Sequence, residues 1–146
     1  MIDTLIIYST TDGQTLSICN VIIDNHFNDD VKICSINEVM SQDLAKYKKI
    51  ILGASIRYGK HNKEVLKFVN NNLKIFNNVK TAFFSVNVVA RKKEKDTPST
   101  NPYVKKFLSQ TNWKPTKIGV FAGKVDYPSY NFFDKHIIRF IMWLTK

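Results

Sequence analysis

The sequence has few of the features that mark disulfide-rich, metal-binding or membrane-spanning proteins. Its 146 residues contain two cysteines, Cys19 and Cys34, with neither a CxxC motif nor the Cys/His spacing of a metal site. We therefore expect free thiols in a reducing cytosol, and no metal. The start of the chain lacks the basic region of a signal peptide, and no apolar run reaches the roughly 18 residues that span a bilayer.

Glycine is also scarce, and the loop after the first apolar run lacks the known glycine-rich nucleotide motifs. That loop, Ser9 to Thr15, has neither Gly-x-Gly-x-x-Gly nor Gly-Lys-Ser/Thr. It is rich in hydroxyl groups instead, and Gly13 lets backbone amides approach a ligand. Hydroxyls and amides at a helix start, without lysine or a metal ligand, suit a singly esterified phosphate such as that of FMN. An ordinary capped turn between strand and helix is equally consistent with these residues.

Positive charge is concentrated in the C-terminal part of the chain. The formal net charge is +10, and residues 91–146 hold 12 of the 22 Lys and Arg residues but 4 of the 12 Asp and Glu residues. Such a surplus predicts an acidic partner: nucleic acid, an anionic membrane or a small polycarboxylate. A solvated basic face that helps solubility is the alternative.

Apolar runs of strand length alternate with helical patterns along the whole chain. This alternation predicts one α/β domain over residues 1–146, with a parallel sheet and helices on both faces. The predicted strands are residues 4–9, 31–36, 50–54, 81–86 and 117–122, and the predicted helices are 14–27, 62–76 and 102–111, with at most a short helix at 43–47 and an amphipathic segment from about 130 onward.

Three predicted loops leave strands at the same edge of this sheet. Ligands of such sheets lie outside the carboxyl ends of the strands, at the point where the strand order reverses. We therefore expect residues 9–15, 55–59 and 85–91 to converge on one ligand. Tyr58 is placed to stack on a flat ring, and Arg57 to stabilise an anionic reduced flavin. For His61, which follows closely, we expect a solvated loop position.

Together, these loops resemble one family. The stretch at 9–15, Ser-Thr-Thr-Asp-Gly-Gln-Thr, is similar to the phosphate loop shared by all flavodoxins. More specific are Gly-Ala-Ser-Ile-Arg-Tyr-Gly at 53–59, Ser-Val-Asn-Val-Val-Ala-Arg-Lys at 85–92, Lys-Asp-Thr-Pro-Ser-Thr-Asn at 95–101 and Lys-Lys-Phe-Leu at 105–108. From Thr4 to about Leu144 the chain resembles the flavodoxin-like, menaquinone-dependent protoporphyrinogen IX dehydrogenases of bacterial haem biosynthesis.

The resemblance implies a flavodoxin-like fold, a five-stranded parallel sheet in the order 2-1-3-4-5, with bound FMN. It implies an oxidoreductase that removes six electrons in all from protoporphyrinogen IX and passes them to menaquinone or ubiquinone. The enzyme would lie on the cytoplasmic side of the bacterial inner membrane, as a peripheral protein without a nucleic-acid partner. The implied cofactor contacts are Ser9, Thr10, Asp12, Gly13, Gln14, Thr15, Ser55, Ile56, Arg57, Tyr58, Gly59, Ser85, Val86, Asn87, Val88 and Ala90.

The same resemblance gives roles to particular side chains near the flavin, but no residue is assigned as catalytic acid or base. Asn87 and nearby backbone groups would face the pyrimidine edge of the flavin. Arg91 and Lys92 would pair with substrate carboxylates or lipid phosphates. The segment from residue 130 packs on the sheet or contacts the membrane or substrate, and we favour the latter. Family members continue beyond it with a closing helix, so a sequence ending at Lys146 looks shortened at its C-terminus.

Three other functions stay open on the sequence. A flavodoxin-type electron carrier fits poorly, because such carriers are typically acidic whereas this chain carries +10. An FMN-dependent NAD(P)H:quinone reductase would use the same cofactor site. A non-catalytic nucleic-acid or membrane binder would use the basic C-terminal part, although ordered spacing of base-stacking aromatics is absent.

Overall fold

The computed structural model describes residues 4–9, 14–26, 31–39, 44–57, 60–87, 90 and 92–121. The amphipathic segment predicted after residue 130 lies outside these residues. In the described ranges the strands are β1 (Thr4–Ser9), β2 (Val31–Ser35), β3 (Lys49–Arg57), β4 (Lys60–His61), β5 (Lys80–Val86) and β6 (Lys117–Phe121). The helices are α1 (Gln14–His26), α2 (Lys63–Asn71), α3 (Leu73–Phe76) and α4 (Pro102–Ser109), with short 3-10 turns at Leu44–Lys46 and Lys93–Lys95.

Five strands form a parallel sheet in the order β2-β1-β3-β5-β6, and the short β4 pairs with β3 from outside this path. Without β4, this is the order 2-1-3-4-5, so the predicted fold class is confirmed. The chain moves from β1 to one neighbour, β2, and then returns to the other side of β1 as β3. The order therefore reverses between β1 and β3, where ligands of such sheets lie.

Side chains of the central strands alternate between two buried clusters, one on each face of the sheet. Leu5 and Ile7 of β1 point into the cluster that includes buried residues of α2, α3 and α4, whereas Ile6 belongs to the cluster with α1. This alternation is the period of two expected of a strand buried on both faces. Both cysteines are buried as free thiols, Cys19 in the α1 cluster and Cys34 in the other.

One position in the middle of the sheet accepts no side chain. Gly53 of β3 lies beside Phe84 of β5 in the register of the two strands. A Cβ atom added at Gly53 would collide with the ring carbons of Phe84. That ring is itself fully buried and packs against Phe121, with ring centroids 5.4 Å apart. The aromatic ring thus occupies the space that a larger residue at position 53 would need.

Several predicted boundaries were wrong, among them the end of the helix predicted over 102–111, which ends at Ser109. The helix predicted over 62–76 is interrupted at Asn72, whose Nδ2 donates to the Phe68 carbonyl at 2.8 Å and so competes with the regular backbone pattern. β2 ends at Ser35, although the Ile36 amide still donates to the Tyr8 carbonyl at 2.8 Å. β3 runs three residues beyond its predicted end at Ala54, because β4 folds back and pairs with it.

Candidate functional site

The carboxyl ends of three neighbouring strands lie side by side at one edge of the sheet. Ser9, the last residue of β1, is the register partner of Ala54 in β3, and Ala54 is the partner of Ser85 in β5. One residue further along, Ser55 is paired with Val86. The strand ends before the three predicted loops therefore converge, as expected from a parallel sheet.

The start of α1 holds a buried hydroxyl group. Thr15, in the first turn of this helix, has no exposed surface, and its Oγ1 has no hydrogen-bond partner among the residues that the structure describes. A buried polar atom left without a partner costs about 1–3 kcal/mol. The first amides of a helix also lack partners within it, and the helix dipole favours an anion there. This end of α1 is therefore suited to bind an anionic group.

The rest of the first predicted loop is only partly described. Ser9 is buried with 7% of its surface exposed, and Gln14 begins α1. Thr10, Asp12 and Gly13 lie outside the described residues, so their predicted contacts stay predictions.

The second predicted loop is largely a hairpin. Ile56 pairs with His61, and Arg57 pairs with Lys60, in antiparallel register. The prediction of a loop at residues 55–57 was therefore wrong. The sequence did hold a signal for the hairpin, since a two-residue connection with glycine, here Tyr58-Gly59, is typical of a tight β-turn. Tyr58 and Gly59 themselves lie outside the described residues.

His61 is partly buried against aromatic rings, so the prediction of a solvated loop histidine was wrong. Its ring packs edge to face against Phe83 and Phe107, with centroids 5.7 and 5.2 Å away. Its Nε2 lies 2.8 Å from Ser85 Oγ. Burial lowers the pKa of His61 to about 4, so the ring is neutral at physiological pH. The reason is the hairpin, which turns β4 back so that this side chain meets the aromatic core.

From Ser85, hydrogen bonds continue into a buried network of amides. Asn87 Nδ2 donates to Ser85 Oγ at 3.0 Å and also lies 3.3 Å from Asn101 Oδ1. Asn87 Oδ1 accepts from Asn101 Nδ2 at 2.9 Å and from the Ala90 amide at 3.1 Å. The two asparagines are 3% and 0% exposed. Because buried amides need partners, this network fixes the chain after β5 against the start of α4.

Asn101 joins this network to helix α4. Its Oδ1 accepts from the Tyr103 and Val104 amides and so caps the helix, while its Nδ2 also donates to the Lys95 carbonyl at 2.9 Å. Sequence reasoning predicted the helix start from Pro102 but missed Asn101. An asparagine directly before a helix-initiating proline is a signal that could have found it.

The polar groups of Asn87 in the third predicted loop are therefore hydrogen-bonded to other residues of the protein. The backbone amide of Asn87 donates to the Phe121 carbonyl, and its carbonyl accepts from Ala90. Together with the side-chain bonds, every polar group of Asn87 has a partner inside the protein. Direct contact of Asn87 with a flavin stays a prediction. Val88 and Arg91 lie outside the described residues, while Val86 and Ala90 are buried and Lys92 is exposed.

The described part of the chain has neither a membrane-spanning helix nor a metal-binding cluster of side chains. No helix there is both long enough and apolar enough to cross a bilayer. No three His, Cys, Asp or Glu side chains in these ranges come together as a metal ion would require.

Comparison with known proteins identifies the family. A family profile described as a flavodoxin domain matches residues 5–146. The chain belongs to the flavodoxin domain family. Among solved structures, this flavodoxin-family chain is similar to a flavoprotein from Lactobacillus acidophilus NCFM in complex with FMN, with a TM-score of 0.60 and 13% identity over 93% of this chain and 99% of that chain. It is also similar to the Fusobacterium nucleatum flavodoxin bound to flavin mononucleotide, with a TM-score of 0.53 and 17% identity over 97% and 95% of the two chains. At these identities the likeness shows the fold alone.

Curated relatives of this flavodoxin-family chain carry a more specific name, "Protoporphyrinogen IX dehydrogenase [quinone]". One from Leishmania major is 44% identical over 145 residues, which cover 97% of this chain and 62% of that protein. Another, from Escherichia coli K12, is 37% identical over 144 residues, covering 97% of this chain and 80% of the relative. The resemblance predicted from the loop motifs is confirmed. This chain spans less than two thirds of the Leishmania protein's length.

Proposed function

We propose that this flavodoxin-family chain is a single FMN-binding domain that oxidises protoporphyrinogen IX to protoporphyrin IX with a quinone as electron acceptor. Relatives of that name, 37–44% identical over 97% of the chain, support the reaction. The structural observation that supports FMN as cofactor is the buried Thr15 hydroxyl at the start of α1, which lacks a hydrogen-bond partner among the described residues.

The described residues fit the phosphate of FMN. Thr15 Oγ1 can donate to a phosphate oxygen, the first amides of α1 can do the same, and Ser9 ends the strand that leads into this site. A phosphate bound in this way needs no lysine and no metal. Ser55 and Ile56 at the end of β3 would then line the ring, and Val86 would lie on the far side of Ser55. When bound, FMN supplies the redox chemistry, and the protein supplies position and electrostatics.

The part of the chain from β5 to α4 would support the ring from behind. Neutral His61 and Ser85 form a hydrogen bond at the edge where the ring is expected, within a wall of Phe83 and Phe107. The Asn87–Asn101 pair holds the following residues in place. These residues orient the site and exclude water, and we assign no proton transfer to them.

A quinone acceptor implies a membrane surface. The six electrons and six protons that leave each porphyrinogen are taken up by three quinones, which become quinols, so no other oxidant is needed. Menaquinone and ubiquinone are lipid-soluble, and a cationic surface is attracted to anionic lipid. We propose that Arg91, Lys92 and the rest of the basic C-terminal part bring the protein to the cytoplasmic side of the inner membrane as a peripheral enzyme.

The test is turnover of protoporphyrinogen IX by the FMN-loaded chain in detergent, followed by protoporphyrin fluorescence. Oxygen is excluded, because porphyrinogens also oxidise spontaneously, and the FMN-free protein is the matched control. We expect turnover with menaquinone or ubiquinone and none without a quinone. No turnover with either quinone, despite full flavin loading, would overturn the proposed reaction.

A flavodoxin-type electron carrier is the second candidate, because solved flavodoxins share the fold. An NAD(P)H:quinone reductase is a third. Stopped-flow measurement of flavin reduction separates them: the proposed enzyme is reduced by protoporphyrinogen, the quinone reductase by NAD(P)H, and the carrier by neither at a useful rate without a partner reductase.

A further inference from the structure

A cavity between α2 and α4 has no role in the function proposed so far. Its volume is about 240 Å³, and its lining combines the start of α2 with one side of α4. His61 of β4 completes the lining. The other lining residues are Asn62, Lys63, Leu66, Tyr103, Lys106, Phe107 and Gln110.

The chemistry of this lining favours an anion with an apolar body. Lys63 and Lys106 bring two positive charges from different helices, and none of the lining residues is acidic. Leu66 and Phe107, which is buried, add apolar side chains to the lining. Asn62 caps α2 by accepting from the Glu64 amide, so the positive end of that helix dipole also lies at the cavity.

A second cavity, on another side of α2, shows that a cavity of this size in the protein need not have a positively charged lining. It measures about 260 Å³, and its lining includes one acid and one base, Glu64 and Lys67. The charges of its lining therefore balance. The two cavities are similar in size, but only the one beside His61 has an uncompensated positive lining.

The positive cavity adjoins the candidate flavin site at the side chain of His61. His61 lines the cavity, and its Nε2 is 2.8 Å from Ser85 Oγ. Ser85 is the register partner of Ala54 at the carboxyl edge of the sheet. A ligand that reaches into the cavity can therefore extend to the edge where the redox chemistry is proposed.

We propose that this cavity binds one carboxylate-bearing arm of the tetrapyrrole, with Lys63 and Lys106 facing the carboxylate and Leu66 and Phe107 packing against the arm. This inference rests on the proposed function, whose substrate carries two propionates. The cavity is smaller than the roughly 300–1,000 Å³ of sites that enclose a whole ligand, so it takes an arm of the macrocycle and leaves the rest outside.

The test compares binding of protoporphyrin IX and its dimethyl ester, whose carboxylates are neutralised, by fluorescence titration of the FMN-loaded protein in detergent. The Lys63→Glu/Lys106→Glu variant should lose about tenfold or more in affinity for the free acid and change little for the ester. The matched control is Lys67→Glu/Lys105→Glu, which makes the same change of net charge on the same two helices but outside this cavity. The control should bind both porphyrins within about twofold of the unaltered protein.

Equal losses in both double variants, or equal losses for acid and ester, would overturn the subsite. Quinone-dependent turnover of the unaltered protein, measured in parallel, separates this result from the function itself. If turnover is present and the cavity variant binds the free acid normally, the subsite alone is wrong. If turnover is absent while binding still depends on Lys63 and Lys106, the proposed reaction is wrong and the carboxylate site stands.

Discussion

Two regions at the same edge of the sheet treat their buried polar groups in opposite ways. At the start of α1, the hydroxyl of Thr15 is fully buried and has no partner in the described part of the chain. In the connection from β5 to α4, Asn87 is nearly as buried, yet its amide, its carbonyl and both side-chain atoms are hydrogen-bonded. The start of α1 thus has a polar atom available for a ligand, whereas the polar groups of Asn87 are hydrogen-bonded within the protein.

This difference distinguishes a ligand site from its support. An unpaired buried hydroxyl by itself destabilises the fold. Its presence is explained if a bound ligand supplies the missing hydrogen-bond partner. A closed network of amides stabilises one conformation of a loop, but it has no free atoms with which to bind. We therefore expect Thr15 to act on FMN directly, and Asn87 and Asn101 to act through the position of the third loop.

The largest effect should follow from breaking the support with Asn101→Ala. This change removes the cap of α4, one of the partners of the Asn87 side chain and the partner of the Lys95 carbonyl. We expect the free energy of unfolding to fall by about 3–4 kcal/mol in urea titrations. The control is Asn112→Ala at an exposed position, which should stay within about 0.5 kcal/mol. Similar stability of the two variants would contradict a supporting role for the network.

A smaller effect should come from acid, through His61. Because burial lowers its pKa to about 4 in the folded protein, the unfolded chain takes up the proton first, from about pH 6.5 downward. The contribution of the neutral ring is complete above pH 6.5 and is lost as the pH falls towards 4. Between pH 7.5 and 4.5 the unaltered protein should lose about 2–3 kcal/mol more stability than His61→Phe. Parallel pH profiles for the two proteins would show that His61 is not held neutral by the fold.

The smallest effects should separate two buried threonines. Thr15 Oγ1 lacks a partner among described residues, whereas Thr81 Oγ1 accepts from Trp113 Nε1 at 3.0 Å. We expect Thr15→Val to raise the stability of the FMN-free protein by about 1 kcal/mol, because it removes the unpaired hydroxyl, but to weaken FMN binding about tenfold. Thr81→Val should do the reverse, lowering stability by about 1–2 kcal/mol without changing FMN affinity. Flavin fluorescence titration and urea unfolding measure the two quantities, and matching losses in both variants would remove the distinction.

Hydrophobic patterns predicted the sheet well, because its strands are short apolar runs buried on both faces. Residues 50–52, for example, are fully buried, and a continuous apolar run of this kind is typical of a strand buried on both faces. The same patterns are blind to β4, which has two residues and exists only through its pairing with Ile56 and Arg57. Since His61 is placed by that pairing, its burial was missed with it.

The candidate site shows the same limit. Ser9 and Thr15 follow directly from a strand and a helix start, so their positions could be predicted from local sequence. The Asn87–Asn101 pair joins residues 14 positions apart, and nothing in the spacing of polar side chains identifies which amides meet. Buried polar contacts of this kind depend on three-dimensional packing, which local sequence does not encode.

The packing of the Phe84 ring over Gly53 also fixes the register between β5 and β3. If β5 slipped by two residues along β3, the ring would face Ile51 or Ser55 instead of Gly53, the one residue of β3 without a side chain. A slip by one residue would turn the ring to the opposite face. The contact between Gly53 and Phe84 in the hydrophobic core thus fixes the register that places Ser9, Ala54 and Ser85 side by side. Neither Gly53 nor Phe84 has to contact the ligand to do so.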